Sequence, residues 1–380
     1  MERGYPMARR KMKDHYRKLS FITDLGGIQN ALGEMHGFGF PKQPPLNCGC
    51  QCQPGDPVLD EHWFCSTIKA KIAGHPENGM EYPFYGERIF EEALVGFVRG
   101  DDPIFEEFKE IIGPHHFTPW EIMAWQAESN GVEPPSPEDI SVVSFVMPIT
   151  KATRDDNRKA HQWPAERWAQ TRLHGELFSQ LFVREIVTYL MSRGILAVAP
   201  DVTPKFNKKR YPKVGWASPW SHRHVAYAAG LGTFGMHDFL ITEKGCAHRL
   251  GSFVVNLRLQ PNRERSEDIH ANCLHYQGLK CLKCMERCPV GAISEDGAHD
   301  KEKCYKKVKD SLRYCNKNYH IFIYGCGLCA TGVPCENQIP KPLQKKKDNS
   351  ALQEKTADVC SVSFSSHSAS GIISSVKVQD

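Results

Sequence analysis

Apolar positions recur at helical spacing through residues 85–125: first Phe90, Leu94, Phe97 and Val98, then Ile104, Phe105, Phe108, Ile111 and Ile112. The second set follows Asp102-Pro103, and an Asp cap with Pro at the first helical position suits a helix start. Two helices are therefore predicted here. Residues 140–149 form a short β-branched apolar run bounded by Pro137 and Pro148, the pattern of a buried strand. Pro164 then opens a long amphipathic pattern carrying Trp168, Leu173, Leu177, Leu181, Ile186, Tyr189 and Leu190, with Gly194 just past its end. A second short strand is expected over 195–199. Strand, helix, strand at this spacing is an α/β unit, and both strands should share one sheet through a right-handed crossover.

Residues 201–218 are polar, basic and broken by proline, which predicts an exposed loop of functional length. An alanine-rich helix follows over 221–230, then strands over 239–242 and 249–259. Beyond Lys341 the chain is rich in Lys and Ser without periodicity and reads as a disordered tail.

Composition narrows the class. The 380 residues suffice for two domains with a core, and the net charge of +4 arises from intermixed signs, unlike the basic face of a nucleic-acid binder. The runs Lys208-Lys-Arg210 and Lys345-Lys-Lys347 read as solvated loops. No apolar run is long enough to span a bilayer. Arg9-Arg10 lacks a following apolar stretch, so an export signal is not expected.

Fifteen cysteines change the picture, because most of them sit at metal-ligand spacing rather than scattered as in a secreted disulfide scaffold. A reducing cytoplasm is implied. Cys281-Leu-Lys-Cys284-Met-Glu-Arg-Cys288-Pro289 is a C-x2-C-x3-C-P run, and Cys326-Gly-Leu-Cys329 with Cys335 repeats the theme. Bacterial-type ferredoxin modules hold two [4Fe–4S] clusters with such runs, the last Cys of each crossing to the other cluster. On that geometry Cys273, Cys281, Cys284 and Cys335 hold one cluster. Cys288, Cys304, Cys326 and Cys329 hold the second. Cys315 competes with Cys304, which is favoured because Asp300 can open a helix that presents Cys304 near its start. Paired C-x2-C units also read as zinc sites. Cys48, Cys50 and Cys52 are spaced too tightly for either, and with Cys65 further on they read as free thiols, an extra metal site being the alternative.

Gly230-Leu-Gly232-Thr233-Phe-Gly235 matches G-x-G-x-x-G by letter, but it follows a helix and precedes a strand, the reverse of a dinucleotide site. Two alternatives stand: a bare backbone that admits a bulky ligand, or a helix cap with two turn glycines. His115-His116 is assigned no role.

The order Arg223, Gly230-Leu-Gly232-x-x-Gly235, Leu-Ile-Thr, Arg249-Leu-Gly251-Ser252, two cysteine runs and Tyr324-Gly-Cys326 resembles the epoxyqueuosine reductases and, more distantly, the reductive dehalogenases. The resemblance covers residues 140–340. It implies an α/β nitroreductase-like, corrinoid-binding domain over 85–265 and a dicluster ferredoxin-like domain over 266–340, between an irregular Cys/Pro/Gly-rich region, 1–84, and the tail, 341–380. It further implies a cobalamin-dependent reductase fed by ferredoxin or flavodoxin, with Arg223, Gly230, Gly232, Thr233, Gly235, Arg249, Gly251 and Ser252 around the corrinoid. The substrate would be a modified nucleoside in tRNA or a small organic molecule; reductive dehalogenation, or a carrier without corrinoid, are the alternatives. Such enzymes carry a carboxylate general acid before the helix ending in G-L-G. Gly215-Trp216-Ala217-Ser218-Pro219 has none, leaving Tyr211, His222 and His224 as candidate proton donors.

Overall fold

The computed structural model describes residues 57–211 and 214–344. The Cys48–Cys52 group and the tail beyond 344 lie outside them. A four-stranded antiparallel sheet in the order β1-β2-β8-β3 organises the protein. It comprises β1 (Leu94–Arg99), β2 (Ser141–Pro148), β3 (Ala197–Val198) and β8 (His248–Val255). Strand β8 pairs along its whole length with β2, from Ser141 opposite Val255 to Pro148 opposite His248, and with β3 at Val254 and Val255.

Both faces of the sheet are covered, because successive side chains alternate in direction. On one face Phe253 meets Phe64 of α1 (Glu61–Gly74), ring centroids 6.0 Å apart, and Phe145 meets Phe182 of α5 (Glu166–Ser192) edge-on at 5.3 Å. On the other face Ser252 takes a hydrogen bond from the Trp220 indole, whose ring stacks on Phe105 of α2 (Ile104–Ile111). Helices α3 (Pro119–Ser129), with a Thr118/Glu121 capping box, and α4 (Lys151–Lys159) complete the first half.

The predicted unit of β2, α5 and β3 is present, its two strands both antiparallel to β8 and so parallel to each other. Helix α2 forms where its pattern predicts, with Asp102 Oδ1 accepting from the Ile104 N–H at 3.0 Å. The helix expected through Leu94, Phe97 and Val98 is instead strand β1. Its first five residues are buried, so the apolar run is nearly continuous and carries no clean period. Gly96 fits there because a side chain would meet the Ala229 carbonyl at 2.7 Å.

The basic stretch after β3 is more ordered than a plain loop, since it forms a hairpin of β4 (Lys209–Tyr211) and β5 (Gly215–Ala217). Helix α6 (His222–Ala228) ends at Gly230, whose φ of 70° is the left-handed cap that glycine adopts readily. A hairpin of β6 (Gly232–Phe234) and β7 (Leu240–Thr242) follows. In the cysteine-rich stretch only α7 (Lys283–Glu286) and α8 (Lys301–Tyr319) are α-helical. That stretch packs, up to Ile339, within the same compact unit as the sheet. Among the described residues no helix is long and apolar enough to cross a membrane.

A charge cluster ties α5 to the start of β8. Glu176 accepts from Arg172 Nη1 at 2.6 Å and pairs with Arg249. Burial pushes the carboxyl up, but Arg249 and Arg172 outweigh it and hold the pKa at about 2. Because the folded pKa lies below the ordinary value of 4.5, this stabilisation is complete above about pH 4.5 and is lost as pH falls through 2. Its size is about 3 kcal/mol. Glu176→Gln should therefore lose about this much at pH 7 and converge with the parent near pH 2 in urea melts; parallel curves would contradict the assignment. Gly251→Ala should cost about 1–3 kcal/mol in the same assay, because the added carbon would lie 2.2 Å from the Phe145 ring.

Candidate functional site

Short turns and helix starts carry the thiols. Cys273 closes a turn through its N–H to His270 O, while Cys281 and Cys284 flank the start of α7. Cys335 lies in a turn where its carbonyl accepts from the Cys246 N–H at 2.8 Å. These four sulfurs feel one another. Burial raises the Cys281 thiol, and the charges of Cys335 and Cys273 add to it. Burial, then Cys335, Cys273 and Cys281, push Cys284 up to about 12.

A second foursome, Cys288, Cys304, Cys326 and Cys329, lines one cavity of about 270 Å³. Asp300 caps α8 by accepting from the Lys303 N–H, which sets Cys304 in the first turn. Cys288 Sγ accepts from the Ala292 N–H at 3.2 Å. Burial followed by Cys326, Cys304, Cys284 and Cys288 raises Cys329 well above the ordinary range. Because Cys284 of the first foursome is among the charges that act on Cys329, the two foursomes are electrostatic neighbours. Cys315 does not line that cavity: it is fully buried among Ala169, Leu173, Ile321 and Ile323, although the charge of Cys326 still reaches it.

Cations ring the second foursome. Arg172, Arg249, Lys307 and His299 line its cavity. Hydrogen bonds to the Asp238 carboxylate and to Cys304 raise His299 to about 9, so it is cationic at neutral pH. The described cysteines are all free thiols. Two neighbouring fours of buried or half-buried thiols, the second ringed by cations, fit iron–sulfur cages: thiolate ligation removes the mutual repulsion, and the surrounding donors stabilise the sulfur charge.

The residues named for a corrinoid are placed differently. A side chain at Gly232 would meet the Ile241 carbonyl at 2.5 Å, at Gly230 the Glu264 carbonyl at 2.8 Å, and at Gly235 the His237 ring at 2.7 Å. These glycines, like Gly251, let protein approach protein. Thr233 Oγ1 accepts from the Asn272 N–H at 2.8 Å, and Arg223 donates to the Asp238 carbonyl. Of the eight, Arg249 lines the thiol cavity.

The candidate proton donors are also held apart. Tyr211 Oη bonds His115 Nδ1 at 2.7 Å, and His224 Nδ1 bonds Ser221 Oγ at 2.7 Å, with burial pushing His224 down to about 3. His222 Nδ1 bonds the buried Ser252 hydroxyl at 2.9 Å while its Nε2 faces Asp201 at 3.3 Å. Asp201 is the carboxylate of this neighbourhood, supplied from after β3 rather than from the stretch before α6.

Sequence inspection missed Cys246 and His237. Among the described residues, His237, Cys246 and Cys335 are a trio whose ligand atoms lie within 4.8 Å of one another. Burial raises Cys246, whereas the hydrogen bond from Cys246, joined by His237, lowers Cys335 to about 5. Neither Cys246 nor His237 stands at a ligand spacing, so nothing local marks them.

No family model matches the chain. Over 119 residues, 30% of this chain, it is 30% identical to the epoxyqueuosine reductase of Bacillus anthracis, and over 146 residues it is 27% identical to that of Synechocystis. These stretches span 29% and 46% of the two relatives' lengths. Among solved structures, a catabolic reductive dehalogenase overlaps 66% of this chain and 31% of its own at TM-score 0.41 and 16% identity. An epoxyqueuosine reductase with a tRNA stem loop overlaps 72% of this chain and 66% of its own at TM-score 0.36 and 17% identity. The resemblance read from the sequence is borne out: over about a third of its length this chain is similar to curated epoxyqueuosine reductases.

Proposed function

We propose that the protein is an iron–sulfur oxidoreductase of epoxyqueuosine-reductase-like type. Cys273, Cys281, Cys284 and Cys335 would hold one [4Fe–4S] cluster, and Cys288, Cys304, Cys326 and Cys329 the second. The observation that supports this is that Cys288, Cys304, Cys326 and Cys329 line one cavity, while Cys284 feels the charges of Cys335, Cys273 and Cys281. When bound, such clusters supply one-electron transfer, with potentials set by charge, sulfur hydrogen bonds and exposure. The 266–340 stretch is then the ferredoxin-like part and 85–265 the substrate part, with electrons drawn from ferredoxin or flavodoxin.

The chain's own residues divide the remaining work. Ile149, Trp168, Val290 and Ile293 give the second site an apolar lining. Arg172, Arg249 and Lys307 offset the negative charge that four thiolates bring. The cationic His299, held by Asp238 at 2.7 Å, keeps a proton next to Cys304.

The tRNA nucleoside substrate of the relatives is carried over as the substrate class. A bound corrinoid would supply strongly reducing chemistry; here protein atoms occupy the side-chain side of Gly230, Gly232, Gly235 and Gly251, and Trp220 and His222 bond the Ser252 hydroxyl. That same packing favours a second reading, a dicluster electron carrier.

Anaerobic reconstitution with iron and sulfide tests the ligand sets. Cys304→Ser should lose about half of the cluster absorbance at 400 nm and half the iron, while Cys315→Ser should keep both. The reverse pattern would overturn the assignment. Titration of the reconstituted protein with cobalamin separates the two readings, since spectral uptake supports the corrinoid reductase and none leaves the carrier.

A further inference from the structure

His237 sits in the turn between β6 and β7, only 2% exposed, with its ring edge-on to Phe239. The Phe239 N–H donates to His237 Nδ1 at 3.1 Å. That bond occupies the Nδ1 lone pair and leaves the ring hydrogen of a neutral imidazole on Nε2. Nε2 lies 3.5 Å from Cys335 Sγ, so its N–H points at the sulfur. A metal held by His237, Cys246 and Cys335 would instead need a lone pair on Nε2. With Nδ1 already accepting, the ring would have to lose its last proton, so the trio is a poor metal site.

A donor is what this geometry offers. Cys246, fully buried, adds its thiol to the same sulfur at 3.8 Å, although its hydrogen also has the Ala330 carbonyl at 3.7 Å. The neighbouring residue of the turn, Asp238, reaches the other foursome through His299 and Cys304. Asp238 has φ of 60°, a left-handed conformation between the two side chains. One turn therefore contacts a ligand of one cage directly and a ligand of the other through His299.

We propose that His237 is a potential-setting residue: its Nε2–H donates to the Cys335 thiolate and raises the reduction potential of the cluster closed by Cys335, leaving the other cluster unchanged. The proposal rests on the two-cluster reading above. Its physical basis is that reduction adds negative charge to the cluster and its sulfurs, and a hydrogen bond to a ligand sulfur stabilises that charge.

The test is a redox titration of the reconstituted full-length protein, followed by low-temperature EPR. His237→Phe should retain the iron of the parent but shift one of two one-electron steps to lower potential. A tenfold change in the reduction equilibrium, 59 mV for one electron, is the expected scale. His237→Asn, too short to reach the sulfur, should give the same shift. His237→Gln, whose amide can donate, should recover part of it. Unshifted steps in both His237→Phe and His237→Asn would overturn the inference, as would cobalt(II) binding to the apoprotein with a thiolate charge-transfer band that requires His237. A parent protein that takes up no iron would instead defeat the cluster reading itself, and the inference with it.

Discussion

Eight thiols gathered in two neighbouring groups cannot all ionise in a protein interior unless cations join them. Cys284 and Cys329 show the cost directly, since burial and the charges of neighbouring sulfurs push both thiols upward. The surroundings are organised around that constraint. Arg172, Arg249, Lys307 and His299 gather at the second foursome, and Cys335 of the first is held as a thiolate by two side-chain donors. These features stabilise sulfur charge, and they make sense together if the thiols serve as ligands.

The sheet provides the rigid support. Strand β8 is paired on both sides, and Cys246 and Ala247, just before it, meet the cysteine-rich segment. There the N–H groups of Cys246 and Ala247 bond the carbonyl of Glu336, beside Cys335. Backbone pairing thus fixes the position of a thiolate whose own loop contains little regular structure. Glu336, almost fully buried, pairs in turn with Arg158 of α4 at 2.7 Å, so the loop is tied from two elements.

Legibility followed range. The β2, α5 and β3 unit could be read because its apolar spacing is a local property, as is the close spacing of Cys281, Cys284 and Cys288 and of Cys326 and Cys329. Strand β1 was misread because burial of both faces erases the alternation that distinguishes strand from helix. The glycine loop left two readings open. Its glycines accommodate Ile241, Glu264 and His237, contacts set by tertiary packing that no letter pattern encodes. Cys246 meets Cys335 across 89 residues and His237 meets it across 98, so only the folded chain reveals them.

The most direct measurement of the central claim is the iron, acid-labile sulfide and zinc content of protein purified without oxygen, read beside the EPR of the dithionite-reduced sample. The account predicts about eight irons and eight sulfides per chain, with a signal from two interacting [4Fe–4S] clusters. About two zinc ions per chain, no labile sulfide and an EPR-silent sample would contradict it.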